Sequence, residues 1–291
     1  MKILEIFDFL SDEKMVQLQY WVKTGRKLNL DKPMRYTEKL QWYKLYYRDD
    51  HMWRCADKFT MREYVREVGY EYLLNPLYAV YERIEDIKLE ELPKEFVLKS
   101  SLGSGAREII ICSDKCELDW DNVKKQIPFW LRKVKKHAGR EWVYEGHKPR
   151  LLVEKLLKTT PELIDYKFYC FFGQCKLIHV AYDRKIGEDV RCAFFDKDFN
   201  YIDVAVDCER KADFNNLPQR PKKFKEMIEI AETLSAPFPH VRIDLYNVDE
   251  KITLGEFTFF NMSGYMNFVP DEFDFRLGRK FRLPLEGRDN F

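Results

Sequence analysis

The chain has 291 residues, enough for a well-buried core and for two or three subdomains packed round one cleft. Lys plus Arg (50) nearly cancel Asp plus Glu (49), a balance that argues against a dedicated nucleic-acid binder, although local basic patches still suit a phosphorylated ligand. Charged residues reach 34% and aromatics 15%, against roughly 25% charged in ordinary soluble domains.

Residues 1–10 are apolar but interrupted by Glu5 and Asp8, too short and too acidic for a signal peptide. No apolar run approaches the roughly 20 residues of a membrane span, so the chain is expected to be soluble and cytoplasmic. Residues 1–75 read as a helical region, with an amphipathic pattern through residues 38–46 that Thr37 is placed to cap. A second helix is predicted over residues 55–68, stopping at Gly69. From Leu74 the texture changes. Residues 76–81 suggest a strand, residues 84–92 an acidic connection, and residues 95–99 a short apolar strand closing on Lys99. Residues 100–107 form a small-residue loop and residues 108–112 a returning strand, together a hairpin flap. A helix over residues 119–137 follows, then strands over 148–157 and 165–172. Gly173-Gln174 is the expected turn into a strand over 175–182. A helix over 224–234 and a hairpin of strands 240–246 and 251–257 complete the pattern, with no internal repeat and a linker-like stretch only at residues 218–221.

Three features carry chemistry. Lys99, followed by Gly103-Ser104-Gly105, suits a polyphosphate: glycines admit backbone N–H groups to the anion and the lysine neutralises it. An ordinary hairpin turn with a solvated lysine has the same pattern, and the P-loop order, lysine after glycines, is absent. In the last hairpin, strand alternation puts Arg242, Asp244 and Tyr246 on one face. Pairing Tyr246 with Ile252 would set Arg242 opposite Glu256 and Asp244 diagonal to it. Two carboxylates and an arginine are costly to bury without compensation, and Mg²⁺ held by Asp244 and Glu256 would supply it; a structural Arg242–Glu256 pair is the alternative. The third feature is the apolar strand running into Glu154-Lys155-Leu156, able to offer backbone edge groups to a purine. Asp165 and Lys167, on one face of the next strand, are spaced for ribose or phosphate, and equally for a solvated face.

The 7 cysteines include no C-x-x-C, and neither Cys112/Cys116 nor Cys170/Cys175 has a companion pair to complete a zinc site, so reduced thiols are expected. The 5 histidines are scattered, and no nucleophilic catalytic set stands out.

In order along the chain, Ala56-Asp57-Lys58, Phe96-Val-Leu-Lys99 with its glycine loop, Val153-Glu-Lys-Leu156, Asp165-Tyr-Lys-Phe, Arg242-Ile-Asp244 and Gly255-Glu256 resemble the ATP-grasp superfamily. Asn29-Leu, Thr37-Glu-Lys-Leu-Gln-Trp42, Tyr47-Arg-Asp49, Arg62-Glu-Tyr64, Gly139-Arg-Glu-Trp142 and Val241-Arg-Ile-Asp-Leu-Tyr246 resemble its TupA-like branch, named after teichuronopeptide synthesis, from about residue 28 to 280. The resemblance implies an α+β ATP-grasp fold: a helical N-terminal region (1–75), a flap subdomain (76–157) and a C-terminal subdomain with a metal-binding hairpin (158–291), the last two clamping ATP.

It implies that Lys58 and Lys99 hold the ATP phosphates and that Gly103, Ser104 and Gly105 cover them. Glu154, Lys155 and Leu156 would line adenine, with Asp165 or Lys167 near ribose or phosphate. Asp244 and Glu256 would bind Mg²⁺, and Arg242 would face the transferred phosphoryl group. Where ATP-grasp proteins often have Asn two places after the metal-binding Glu, this chain has Thr258. The implied activity is a carboxylate–amine ligase working through an acyl phosphate on a sugar acid or amino acid of a surface polysaccharide. A kinase with the same ATP site, and a non-catalytic polysaccharide-assembly protein, are the alternatives. Arg140, Asp183, Arg184 and Arg191 are candidates for substrate contact, and equally for exposed loop charges.

Overall fold

The structure is a computed structural model and describes residues 9–103, 108–159, 162–183, 190–207 and 209–284. Its N-terminal part is helical: α1 (Asp12–Thr24), α2 (Tyr36–Tyr46), α3 (Asp50–Ala56) and α4 (Met61–Glu67). Thr37 is not the cap of α2, which begins one residue earlier. Its hydroxyl instead donates to Asp274 Oδ2 at 2.7 Å, and the Glu38 carboxylate accepts from the Met34 and Arg35 N–H groups.

The helix expected over residues 55–68 is broken in two. Asp57 Oδ1 accepts from the backbone N–H groups of Phe59 (2.6 Å) and Thr60 (3.2 Å), a local side-chain bond that competes with helix propagation. Lys58 sits in that break, and its own N–H donates to Ser101 O at 2.9 Å.

The first sheet has the antiparallel order β1-β4-β2-β3, from β1 (Leu77–Tyr81), β2 (Phe96–Ser100), β3 (Ile109–Cys112) and β4 (Leu151–Glu154). Helix α5 (Trp120–Trp130) packs Val123, Ile127 and Trp130 with the sheet's Phe96, Leu98, Leu151 and Val153 in a local core. α5 ends seven residues before the expected residue 137. Pro128 has no N–H for residue 124 and crowds that carbonyl, so the helix survives only to Trp130.

The second sheet runs β10-β7-β6-β5-β11-β12, with β8 added to β7. Its strands are β5 (Asp165–Phe171), β6 (Gln174–Tyr182), β7 (Arg191–Phe195), β8 (Tyr201–Ile202), β10 (Arg210–Lys211), β11 (Val241–Val248) and β12 (Lys251–Thr258). A small ribbon pairs β9 (Ala205–Val206) with β13 (Phe268–Val269), and α7 (Glu272–Gly278) closes the chain against α2.

The β5–β6 turn lies one residue earlier than expected. Phe172 (φ 48°) and Gly173 (φ 69°) are the two left-handed central residues that a tight hairpin turn needs, and Gln174 already pairs with Phe171.

Helix α6 (Phe224–Ser235) covers one face of this sheet. Its buried Phe224, Met227, Ile230, Ala231 and Leu234 recur at helical spacing and meet the Phe168 and Cys170 side of β5. Each large apolar side chain so buried is worth about 1.5–3 kcal/mol. The opposite face carries Asp165, Lys167 and Tyr169, and α2 packs Tyr36 against it through Tyr169 and Phe171. Among the described residues no helix is long and apolar enough to cross a membrane.

Candidate nucleotide and metal site

Strand pairing builds one continuous row across the second sheet: Glu256, Asp244, Lys167, His179 and Phe194 are successive partners on β12, β11, β5, β6 and β7. The next row places Thr258, Arg242 and Tyr169 side by side.

This register corrects the expected one. Glu256 lies opposite Asp244, not Arg242, and Arg242 lies opposite Thr258. Two one-residue offsets add up: Tyr246 pairs with Thr253 rather than Ile252, and at Gly255 the ladder slips between Asp244 and Leu245, so one extra residue stands on β12. A methyl group at Gly255 would come within 3.0 Å of the Tyr246 ring and 3.2 Å of Asp244 O, so a larger residue there would have to displace its neighbours. The bulge therefore aligns the two carboxylates.

Three cations face three carboxylates there. Arg242 donates to both oxygens of Asp244 (2.6 Å each), to Glu256 Oε1 (3.3 Å) and to Thr258 Oγ1 (3.0 Å). The Thr258 hydroxyl in turn donates to Glu256 Oε1 at 3.0 Å. Lys167 bridges Asp165 (2.5 Å) and Asp244 (3.1 Å). Lys58 Nζ lies 3.0 Å from Glu256 Oε2 and donates to Gly103 O at 2.5 Å, so one ammonium ties the glycine turn to the carboxylate hairpin.

These contacts set the protonation states. Burial opposes the charge of Glu256, but Lys58, Arg242 and Lys167 outweigh it and hold the carboxyl down to about 2. Burial acts against the charge of Arg242 as well, and Asp244 overrides it, lifting the guanidinium well above its ordinary range. Lys167 is raised in the same way by Asp165 and Asp244. The Asp244 carboxyl is pushed up by burial, against Arg242 and Lys167 and with the help of Asp165. Arg242 and Lys167 thus stay charged at neutral pH beside an ionised Glu256.

The flap base is held from behind. Ser101 Oγ donates to Asp57 Oδ2 at 3.0 Å, and the Ser101 N–H donates to Arg150 O at 2.8 Å. His147 stacks flat on Trp53, ring centres 3.8 Å apart, and places Nδ1 3.8 Å from the same Asp57 oxygen.

Residues 38–282 match the family profile described as TupA-like ATPgrasp, more than four-fifths of the sequence. The chain belongs to the TupA-like ATP-grasp family. Its helices and mainly antiparallel sheets are those of the α+β ATP-grasp fold.

Solved structures similar to this TupA-like ATP-grasp chain include a D-alanine–D-alanine ligase from Bacillus anthracis, at 19% identity over 70% of this chain and 57% of that one, TM-score 0.42. An N5-carboxyaminoimidazole ribonucleotide synthetase in its ADP complex is similar at 14% identity, over 70% of this chain and 45% of that one, TM-score 0.42. A D-alanine–D-alanine ligase from Helicobacter pylori is similar at 12% identity, over 79% of this chain and 61% of that one, TM-score 0.40. The chain thus spans between 45% and 61% of the length of these three structures. No curated protein sequence matches it.

The remaining expected site residues of this TupA-like ATP-grasp chain fall in three places. Lys99 Nζ pairs with Glu154 Oε2 at 2.7 Å, and Glu154 also has Arg62 at 3.6 Å and the Asn75 amide at 3.2 Å. Glu154 is therefore the centre of a buried ion cluster rather than an open wall. The Lys155 N–H donates to Pro76 O and its carbonyl accepts from Asn75, so both its edge groups are taken and Leu156 is the next residue of that edge.

Asp183 is bound by Arg191 (3.2 Å) and Arg210 (3.1 Å), just beyond the Asp165 end of the sheet. Arg140 is buried, with φ 56° and Nε 3.2 Å from Asp12. Ser104, Gly105 and Arg184 lie outside the described residues.

Sequence reasoning named Asp57 and Arg62 only as motif residues without a role, and missed Ser101 and His147 behind the flap base and Asn75 beside Glu154. The one sequence signal for the flap-base group was Asp57, a helix-breaking side chain directly beside the lysine.

Proposed function

We propose that this chain is an ATP- and Mg²⁺-dependent carboxylate–amine ligase that forms an amide through an acyl phosphate. The proposed substrate is a sugar acid or amino acid of a capsular or other surface polysaccharide. The observation that carries the reading is Lys58, which spans from the glycine turn to Glu256 beside the aligned Asp244. One charge then serves a polyphosphate between a flap and a metal-binding hairpin. The division into a helical region (1–75), a flap subdomain (76–157) and a metal-hairpin subdomain (158–291) is part of the proposal.

The residues fit Mg²⁺. Asp244 and Glu256 offer hard carboxylate oxygens on adjacent strands, and the cations that neutralise them mark a site already built for positive charge. Asp244 and Glu256 would hold the ion, which supplies charge neutralisation for the triphosphate.

The chain's own groups do the rest. A substrate carboxylate oxygen bonds to the γ-phosphorus of ATP as the bond to the β-phosphate oxygen breaks and ADP leaves. An amine then bonds to the acyl carbon, phosphate departs with the acyl oxygen it received, and the amine loses a proton. Both partners of the first step are anions, so Lys58, Lys167 and Arg242 lower its barrier by neutralising and aligning them. The acyl phosphate hydrolyses readily, and a flap hinged at Gly103 would exclude water while it forms.

Product analysis tests the proposal. ATP, Mg²⁺ and candidate sugar acids or amino acids are supplied with and without an amine, and ADP and phosphate are measured. Phosphate release that depends on the amine supports the ligase. ADP without free phosphate would make the protein a kinase, and no ADP with any acceptor would make it a binding protein.

A further inference from the structure

The row that carries Asp244 and Lys167 continues to His179, which the ATP chemistry does not use. His179 is buried, 5% exposed, and stacked on Phe194 with ring centres 4.4 Å apart. Cys192, also buried, lies diagonal to it on β7, and Glu209 immediately precedes β10, the parallel neighbour of β7. One ligand atom from each of these three residues lies within 4.8 Å of the other two.

Two of the three side chains, His179 and Glu209, keep buried polar atoms that the protein does not satisfy. Neither ring nitrogen of His179 has a hydrogen-bond partner, and neither has Glu209 Oε2, although His179 Nε2 stands only 3.3 Å from it. A charge-assisted bond would close to about 2.7–2.9 Å with the proton aimed along it. A separation of 3.3 Å is instead near the edge of a tetrahedron whose nitrogen and oxygen ligands sit about 2.0–2.2 Å from a central ion. The Cys192 thiol lies 3.9 Å from Val190 O, and its sulfur is within 4.8 Å of the other two ligand atoms, against about 3.6 Å for the edge of such a tetrahedron.

We propose that His179, Cys192 and Glu209 form a second metal site, distinct from the Asp244–Glu256 pair, for a transition-metal dication of the zinc class. The donor set selects the ion: imidazole, thiolate and one carboxylate suit Zn²⁺ or Co²⁺, whereas Mg²⁺ takes oxygen ligands. Three protein ligands leave a fourth position open. Binding balances as the dication plus the neutral thiol giving the metal–thiolate and one released proton. The ion would staple β6, β7 and the turn into β10, on the same face as the nucleotide site. This inference stands whether or not the chain is a ligase.

The full chain is dialysed against Zn²⁺ with Mg²⁺ saturating, and bound zinc is counted by mass spectrometry. Co²⁺ is then substituted and the near-ultraviolet spectrum recorded. The expected result is one zinc per chain and a sulfur-to-cobalt charge-transfer band. Both should be lost in Cys192→Ser and weakened at least tenfold in His179→Gln, while the exposed-thiol control Cys116→Ser keeps them. No retained zinc, cobalt bound without the band, or a band that survives Cys192→Ser would overturn the proposal. The wild-type and Cys116→Ser spectra keep the test decisive even where Cys192→Ser does not fold.

Discussion

Replacing Glu256 by Gln removes one of the three carboxylates that balance Lys58, Lys167 and Arg242, and keeps the shape of the side chain. Its surroundings hold Glu256 at about 2, against 4.5 for an unperturbed carboxyl. At about 1.36 kcal/mol per tenfold change in proton affinity, that gap is worth roughly 3 kcal/mol. With 28% of the side chain exposed, solvent screening reduces it to roughly 2 kcal/mol.

The sign follows from linkage. A depressed folded-state carboxyl contributes its full stability above the unfolded-state value, near 4.5, and loses it as pH falls towards about 2. Urea unfolding should therefore show the variant about 2 kcal/mol less stable at pH 7, with the difference shrinking below pH 4.5. ADP formation should fall by at least about 100-fold, since a carboxylate that would hold the charge-neutralising Mg²⁺ is lost. Wild-type turnover in a folded Glu256→Gln protein would refute the metal assignment, and a pH-independent stability difference would refute the electrostatic one.

Other variants probe separate parts of the account. Lys58→Met should weaken binding of a non-hydrolysable ATP analogue at least tenfold by calorimetry, and unchanged affinity would remove Lys58 from the site. Burial pushes Lys44 down to about 7, with Glu141 opposing and Lys23 adding. The unfolded chain then binds the extra proton above pH 7, so stability should rise with pH from 7 to 9 by up to about 1.4 kcal/mol per pH unit. Lys44→Met should lack that rise in urea titrations; a parallel rise in both proteins would discard the buried ammonium as its source. Gly264→Ala should cost about 2 kcal/mol or more in thermal or urea unfolding, because φ is +76° and the new methyl would meet Gln41 Nε2 at 2.4 Å. A neutral effect would show that the Gln41 amide, which holds the Ser263 and Gly264 carbonyls, yields freely.

Much of the architecture was legible because it rests on local pattern. The apolar spacing of α6, the turn residues of the hairpins and the alternation of β11 are properties of short stretches. Alternation also put Arg242 and Asp244 on one face, and the structure keeps them there. What stayed hidden depends on contacts distant in sequence or on one-residue offsets. The pairing of Tyr246 with Thr253 and the slip at Gly255 together moved Glu256 from Arg242 to Asp244, and periodicity carries no information about turn register or a bulge. The break at Asp57 is a side chain outcompeting a helix, and it turned a predicted helical lysine into one that reaches from flap to hairpin. His179, Cys192 and Glu209 are joined only by the strand order β6-β7-β10, which no spacing along the chain reveals.

The most direct test of the central claim is a crystal structure of the chain with Mg²⁺ and a non-hydrolysable ATP analogue. The account predicts Mg²⁺ on Asp244 and Glu256, with the triphosphate drawing Lys58 away from Glu256 and lying beneath the turn that ends at Gly103. A nucleotide bound elsewhere, or an ion with neither carboxylate among its ligands, would contradict it.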